Sequence, residues 1–214
     1  MLKRLCIVVL FAAVLGYFEA AVVVYLRAIF YPAGFTFPLS EFGGTALWNR
    51  LLLTEIGREA ASLVLIFTAA ALFGRDRRQR FAFFMTIFAV WDISYYLWLK
   101  VLLNWPGSIM DWDVLFLIPM VWAAPVLAPV IISAVLLTFA AVILCRCRCG
   151  RLLKVSLTDW LAFILAGVVV VVSFCIAGRH ITEPHFQSHF SWVLFALGPA
   201  LAGVVFLKCL LKSS

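Results

Sequence analysis

Charge is scarce in this chain. Only 13% of its 214 residues are Asp, Glu, Lys or Arg, while 66% belong to the hydrophobic set, against about a quarter charged and about half apolar in a soluble domain. With a mean hydropathy of +1.12, that balance excludes a water-soluble single domain. Histidine is scarcer still. The three present, His180, His185 and His189, share one polar stretch between apolar runs, so no transmembrane haem held by two histidines can be built from this chain alone. There is no Walker loop, no Gly-x-Ser-x-Gly elbow and no His-Glu-x-x-His helix, so common soluble-type catalysis has no apparatus here. The sequence points away from an enzyme and names no cofactor.

What is present is a series of long apolar runs, over about 5–28, 48–73, 81–103, 114–144, 157–178 and 191–211. Each is long enough to cross ~30 Å of hydrocarbon at about 1.5 Å per residue. They predict an all-α, polytopic membrane bundle of six helices forming one transmembrane domain over 1–214, with no room for a sizeable domain outside the bilayer. The fourth run is too long for one upright helix and carries Pro119, Pro125 and Pro129. Proline removes a backbone donor and clashes one turn back. The run is therefore expected to begin as a short interfacial or re-entrant piece and to span from about Pro125 onward, the irregular part being covered by protein or water. The first run reads as a retained helix rather than a cleaved leader, because its apolar stretch continues past Glu19 to Leu26.

The net charge of +7 follows from basic residues at span ends and needs no nucleic acid to explain it. Lys3, Arg4, Arg75, Arg77, Arg78, Arg80, Arg146, Arg148, Arg151, Lys154, Lys208 and Lys212 fall on one side of a six-span path, leaving Arg27, Arg50, Arg58, Lys100 and Arg179 near the other. The positive-inside rule then places both termini in the cytoplasm, and the chain is expected in the cell inner membrane. Trp48, Trp98, Trp105, Trp112, Trp122 and Trp192 are expected toward the outer interface and Trp160 toward the inner one. Gly74 is expected to end the second helix, and Ser156 or Thr158 with Asp159 to cap the fifth.

Ionisable residues inside spans are costly, on the order of 2.5 to 3.5 kcal/mol at a helix centre, and here they gather in the first three helices. Counted from the basic ends, Glu19 lies roughly 20 Å along its helix, Glu59 roughly 21 Å and Asp92 roughly 17 Å. Glu55, Arg58 and Glu59 share a face, as do Asp92, Tyr95 and Tyr96, with Lys100 one turn further. These residues predict a polar intramembrane site. As a purely structural network, Glu19, Glu55, Glu59 and Asp92 would balance against Arg27, Arg58 and Lys100; as a functional one, a surplus carboxylate would take up a proton or a cation.

Between the third and fourth helices, Asn104-Trp105-Pro106-Gly107-Ser108 leads to Asp111-Trp112-Asp113. This reads as a capped interfacial turn with tryptophan anchors, with Lys100 within reach of Asp113; in a loop, Asp111 and Asp113 could both face a cation. If the sixth helix began early, His185 and His189 would share a face beside Glu183, a spacing suited to zinc or copper; otherwise the three histidines are solvated loop residues. Cys145, Cys147 and Cys149 alternate with Arg146 and Arg148 and read as thiols within a basic flank.

The strings Glu55-Ile-Gly-Arg58-Glu59-Ala-Ala, Val90-Trp91-Asp92-Ile-Ser-Tyr95-Tyr96 and Trp105-Pro106-Gly-Ser108, continued by Asp111-Trp112-Asp113-Val-Leu-Phe-Leu-Ile-Pro119, resemble uncharacterised small polytopic membrane proteins of bacteria. The resemblance covers roughly residues 55–130. It implies a bacterial polytopic protein and carries over no catalytic residue. Three functions remain in view: proton- or ion-linked transport of a small solute or cation, a non-catalytic subunit or assembly factor of a larger complex, and a metal-assisted membrane enzyme. A chain this small is expected to form a homo-oligomer or join a larger membrane complex, with the lipid bilayer as its constant partner.

Overall fold

A computed structural model describes residues 2–39, 46–151 and 153–212. Six long helices follow one another: α1 (Leu2–Phe30), α2 (Ala46–Phe73), α3 (Arg77–Leu103), α4 (Leu127–Arg148), α5 (Leu157–Gly178) and α6 (Trp192–Leu211). All six are long and apolar enough to cross a membrane, which suits a multi-pass membrane protein. The side chain of Trp48 lies outside the described residues.

Local chemistry sets the helix ends. The Asp76 carboxylate accepts from the Arg78 and Gln79 amides, both at 2.9 Å, at the start of α3. Asn104 closes α3 in the left-handed region, φ 52°, a conformation that asparagine tolerates well. Ser156 and Asp159 form a reciprocal capping box at the start of α5. The Lys208 ammonium of α6 pairs with the same Asp159, and Arg4 of α1 reaches the Phe73 carbonyl of α2 at 3.4 Å. The basic ends thus meet at one end of the bundle, here called the basic end. The opposite one is the far end.

Helix α3 is the hub. It packs against α1, α2 and α4, and it is the least apolar of the six and the most buried, 56% of its apolar window against 33% or less for the others. In lipid this inversion is expected, because apolar surface can face hydrocarbon and polar surface must turn inward. The crossing of α1 with α3 depends on small residues. Ala12, Gly16 and Ala20 are buried at four-residue spacing, and a Cβ on Gly16 would stand 2.9 Å from both the Ser94 Cβ and the Trp91 carbonyl oxygen. Helices α5 and α6 form a second close pair, with Gly198 backed against Ala166 and Val170.

The fourth apolar run opens, as its prolines predict, in a non-helical piece. Its first part is a β-hairpin, β1 (Trp112–Phe116) and β2 (Trp122–Pro125), antiparallel, with Asp113 opposite Ala124, Phe116 opposite Trp122 and a register shift between Val114 and Phe116. Helix α4 begins only after it. The pairing continues past the strands, since the Val126 amide donates to the Asp111 carbonyl at 2.9 Å and the Leu127 amide to the Ile109 carbonyl at 2.8 Å. A hairpin solves the proline problem by satisfying strand amides laterally and leaving Pro125 at a strand end, where no donor is needed. The hairpin reaches inward: the Phe116 ring lies 6.1 Å from that of Trp91, twelve residues from the end of α3 or about 18 Å along the helix. Its other face lies on α5, where Gly178 has no side chain to collide with the Val121 carbonyl.

Replacing Gly16 by isoleucine forces α1 away from α3, and is expected to destabilise the purified protein by about 1 to 3 kcal/mol. Gly57→Ala, where the space beside the glycine is open, is expected to leave the thermal midpoint unchanged or slightly raised. Thermal unfolding in detergent measures both; equal loss in the two variants contradicts the tight crossing.

Candidate functional site

Between the hub helix, the hairpin and the α5–α6 pair lies a cavity of about 480 Å³. Its wall is largely aliphatic and aromatic, and into it come Glu19, Glu55, Arg58, Glu59, Asp92, Tyr95 and Tyr96, with Arg27 and Asp113. Most of the polar intramembrane residues expected from the sequence therefore face one space, though they do not form one network.

Arg58 holds two acids. Its guanidinium takes Glu55, one turn back on α2, through two nitrogens, and pairs with Glu19 across the gap to α1. The spacing of three residues between Glu55 and Arg58 places both on one side of α2, and the planar fork of arginine allows two carboxylates to share it. Glu59, the next residue, turns elsewhere: its two oxygens accept the Leu117 amide at the hairpin tip, at 3.2 and 2.9 Å. Asp92 faces α4 and accepts from the Ser133 hydroxyl at 2.7 Å. Among the described residues neither Glu59 nor Asp92 has a basic side chain within ion-pair distance.

The fourth polar set sits toward the far end. Asp113 is 2% exposed and receives the Arg27 guanidinium at 3.2 Å and the Tyr95 hydroxyl at 3.2 Å. The Arg27 guanidinium carbon also lies 4.1 Å from the centre of the Phe35 ring and 3.9 Å from that of Trp105. Two aromatic faces and one carboxylate thus compensate a charge taken out of water. The buried Tyr96 ring stacks edge-on against Tyr95, centres 4.8 Å apart.

One sequence-based expectation is corrected, and two of the alternatives that the sequence left open are closed. Lys100 does not join the site or pair with Asp113; it is exposed, and its ammonium donates to the Asn104 and Pro106 carbonyls at 3.3 and 3.0 Å. Arg27 takes the place given to Lys100, because β1 carries Asp113 inward while Lys100 points back to its own helix end. Asp111 and Asp113 do not face a common ion: Asp111 caps the turn by accepting the Gly107 and Ser108 amides at 2.7 and 3.2 Å. His185 and His189 do not share a helical face, since α6 starts at Trp192 and His185 takes a left-handed backbone, φ 64°. The pair that meets is His180 and His189, rings stacked 3.9 Å apart, with the His180 Nδ1 at 2.9 Å from Glu183.

Several site residues escaped the sequence reading. Ser133 carried a signal, as the sole polar side chain between Pro129 and Leu137. Trp91 and Trp122 carried none beyond their amphipathic rings. Both line the cavity, and each indole N–H is buried without an acceptor among the described residues, a state that costs about 1 to 3 kcal/mol per donor.

Two expectations follow from this geometry. Arg58→Met leaves Glu19 and Glu55 without their counter-charge and is expected to cost on the order of 3 to 5 kcal/mol, with at least half recovered when Glu19→Gln and Glu55→Gln are added; thermal unfolding of both variants decides it. Glu59→Ala is expected to speed hydrogen exchange at the Leu117 amide at least tenfold, read by mass spectrometry of peptides spanning the hairpin, with little change in α5. Compared with known proteins, the chain matches no family model, no curated protein and no solved structure.

Proposed function

We propose that this chain is an integral protein of the bacterial inner membrane, both termini cytoplasmic, that moves a small cationic or proton-coupled solute through the cavity between its helices. The observation that carries this reading is the imbalance of charge around one apolar space. Five carboxylates line it, from Glu19, Glu55, Glu59, Asp92 and Asp113, against the two guanidinium groups of Arg27 and Arg58. Arg27 is engaged by Asp113 and Arg58 by Glu19 and Glu55, so among the described residues Glu59 and Asp92 have neutral hydrogen-bond donors and no ion pair of their own. A carboxylate in such surroundings is stabilised by taking a proton or by receiving a cation. Either event gives a solute passing the cavity something to exchange with.

The volume is in the range of small-molecule sites, roughly 300 to 1,000 Å³, and the wall dictates the chemistry. An apolar body would meet the aliphatic and aromatic lining, a positive group would meet Glu59 and Asp92, and an oxygen acceptor would satisfy the indole donors of Trp91 and Trp122. In this reading Glu59 and Asp92 are the exchangeable acids. Arg58 holds Glu19 and Glu55 in place through its guanidinium, and Tyr95 orients Asp113 rather than acting on solute.

Reconstitution into liposomes containing a trapped pH-sensitive dye, with a potential imposed by a potassium gradient and valinomycin, tests it. The full-length protein is expected to carry proton flux above that of empty vesicles, and Asp92→Asn and Glu59→Gln, each first verified as monodisperse in detergent, are expected to lower it at least tenfold. Proton flux equal to empty vesicles across the pH range, or unchanged flux in both variants, rejects proton-linked transport through this site.

A further inference from the structure

At the far end, in the connection between α5 and α6, His180, Glu183 and His189 bring three donors together: an imidazole nitrogen from each histidine and a carboxylate oxygen, all within 4.8 Å of one another. Eight residues separate the two histidines, yet their rings stack at 3.9 Å, 14° from parallel. The connection folds back on itself through turns closed by the Glu183 amide to the His180 carbonyl at 2.8 Å and the Ser188 amide to the His185 carbonyl at 2.9 Å. The left-handed residue His185 starts the short 3₁₀ turn Phe186–His189 that returns the chain to its origin.

This loop is anchored from beneath. Phe186, 1% exposed, and Phe190, 8% exposed, turn inward, and the Trp112 ring of β1 lies 4.8 Å from the first and 5.8 Å from the second. Buried aromatics therefore hold the backbone that carries the donors, while Glu183 and His189 remain open to solvent. A site of this kind pays its ordering cost in advance.

We propose that His180, Glu183 and His189 bind a divalent first-row transition metal, zinc(II) above all. Two neutral imidazoles and one carboxylate are a recognised three-ligand set for zinc, with the fourth tetrahedral position left to water. Calcium and magnesium prefer all-oxygen shells and are disfavoured by two nitrogen donors. With bonds of about 2.0 to 2.2 Å, tetrahedral ligands lie roughly 3.3 Å apart, so the donors must close further and the stacked rings must turn about their side-chain bonds; both are open to exposed side chains. Since His180 follows α5 and His189 precedes α6, the ion would staple the α5–α6 connection. That staple lies over Trp112, the neighbour of Asp113.

Calorimetric titration of the purified, metal-stripped full chain with zinc chloride tests the proposal, and the visible absorption of the cobalt(II) form reports coordination number. One equivalent of zinc is expected to bind and to raise the thermal midpoint, as any ligand selective for the folded state must. His180→Ala and His189→Ala are each expected to weaken binding at least tenfold, and the size-preserving Glu183→Gln severalfold. His185→Ala, which leaves the three donors in place, is expected to change it less than twofold. No saturable zinc binding by the unaltered chain, undiminished affinity in the His180→Ala/His189→Ala double variant, or an equal loss in His185→Ala overturns the assignment. The readout is binding alone, so it stands or falls independently of flux through the cavity.

Discussion

A strand placed among apolar helices brings backbone amides and carbonyls to a depth where lipid offers no partner. The arrangement of this protein follows from meeting that demand. The hairpin satisfies most of its backbone within itself, through the β1–β2 ladder and the continuing bonds from Val126 and Leu127. Its tip, where the ladder stops, is met by Glu59 of α2 at the Leu117 amide. Asp113, carried inward by β1, is met by Arg27 and Tyr95. Glu59, Arg27 and Tyr95 are thus assigned to a piece of non-helical chain, while Arg58 holds Glu19 and Glu55 between α1 and α2 and Asp92 turns to Ser133 of α4.

The same logic explains why α3 stands in the middle. A helix bearing Asp92, Tyr95 and Tyr96 on one side and Ser94 on another has little purely apolar surface to show to hydrocarbon. Encircling it with α1, α2 and α4 turns those groups toward protein. Close approach is what makes the encirclement possible, and it rests on Gly16 beneath Ser94 and on Ala12 and Ala20 to either side. Polar content and small-residue spacing are two halves of one solution: the first requires an interior position, the second permits it.

How much of this could be read from the sequence varied with the range of the interaction. Six spans follow from the run lengths alone, and the Ser156–Asp159 cap is local, so both could be anticipated. That the acids of three helices face one space followed from helical periodicity and rise. The partners did not. Whether Asp113 would meet Lys100 or Arg27 depends on a strand that periodicity had no means of separating from a helix, because 114–125 is apolar in nearly every position and shows neither alternation nor a 3.6-residue repeat. The histidine trio depends in the same way on a reversal at His185 that no local pattern announces. The four-residue spacing of Ala12, Gly16 and Ala20 in α1 is local, yet it gains meaning only from the helix it touches, and that partner is set by the fold.

The α5–α6 pair joins the remainder chiefly through β2 and the connection that bears the histidines, with slight direct packing of α6 on α4. The character of that seam changes along its length. Near the far end the hairpin backbone passes Gly178 with no side chain between them, whereas toward the basic end rings carry the contact, Phe206 lying 4.1 Å from Phe139 and Trp160 5.3 Å from Phe81. A substitution that shortens one of those rings therefore opens the seam at its basic end and leaves the backbone contact at the other untouched.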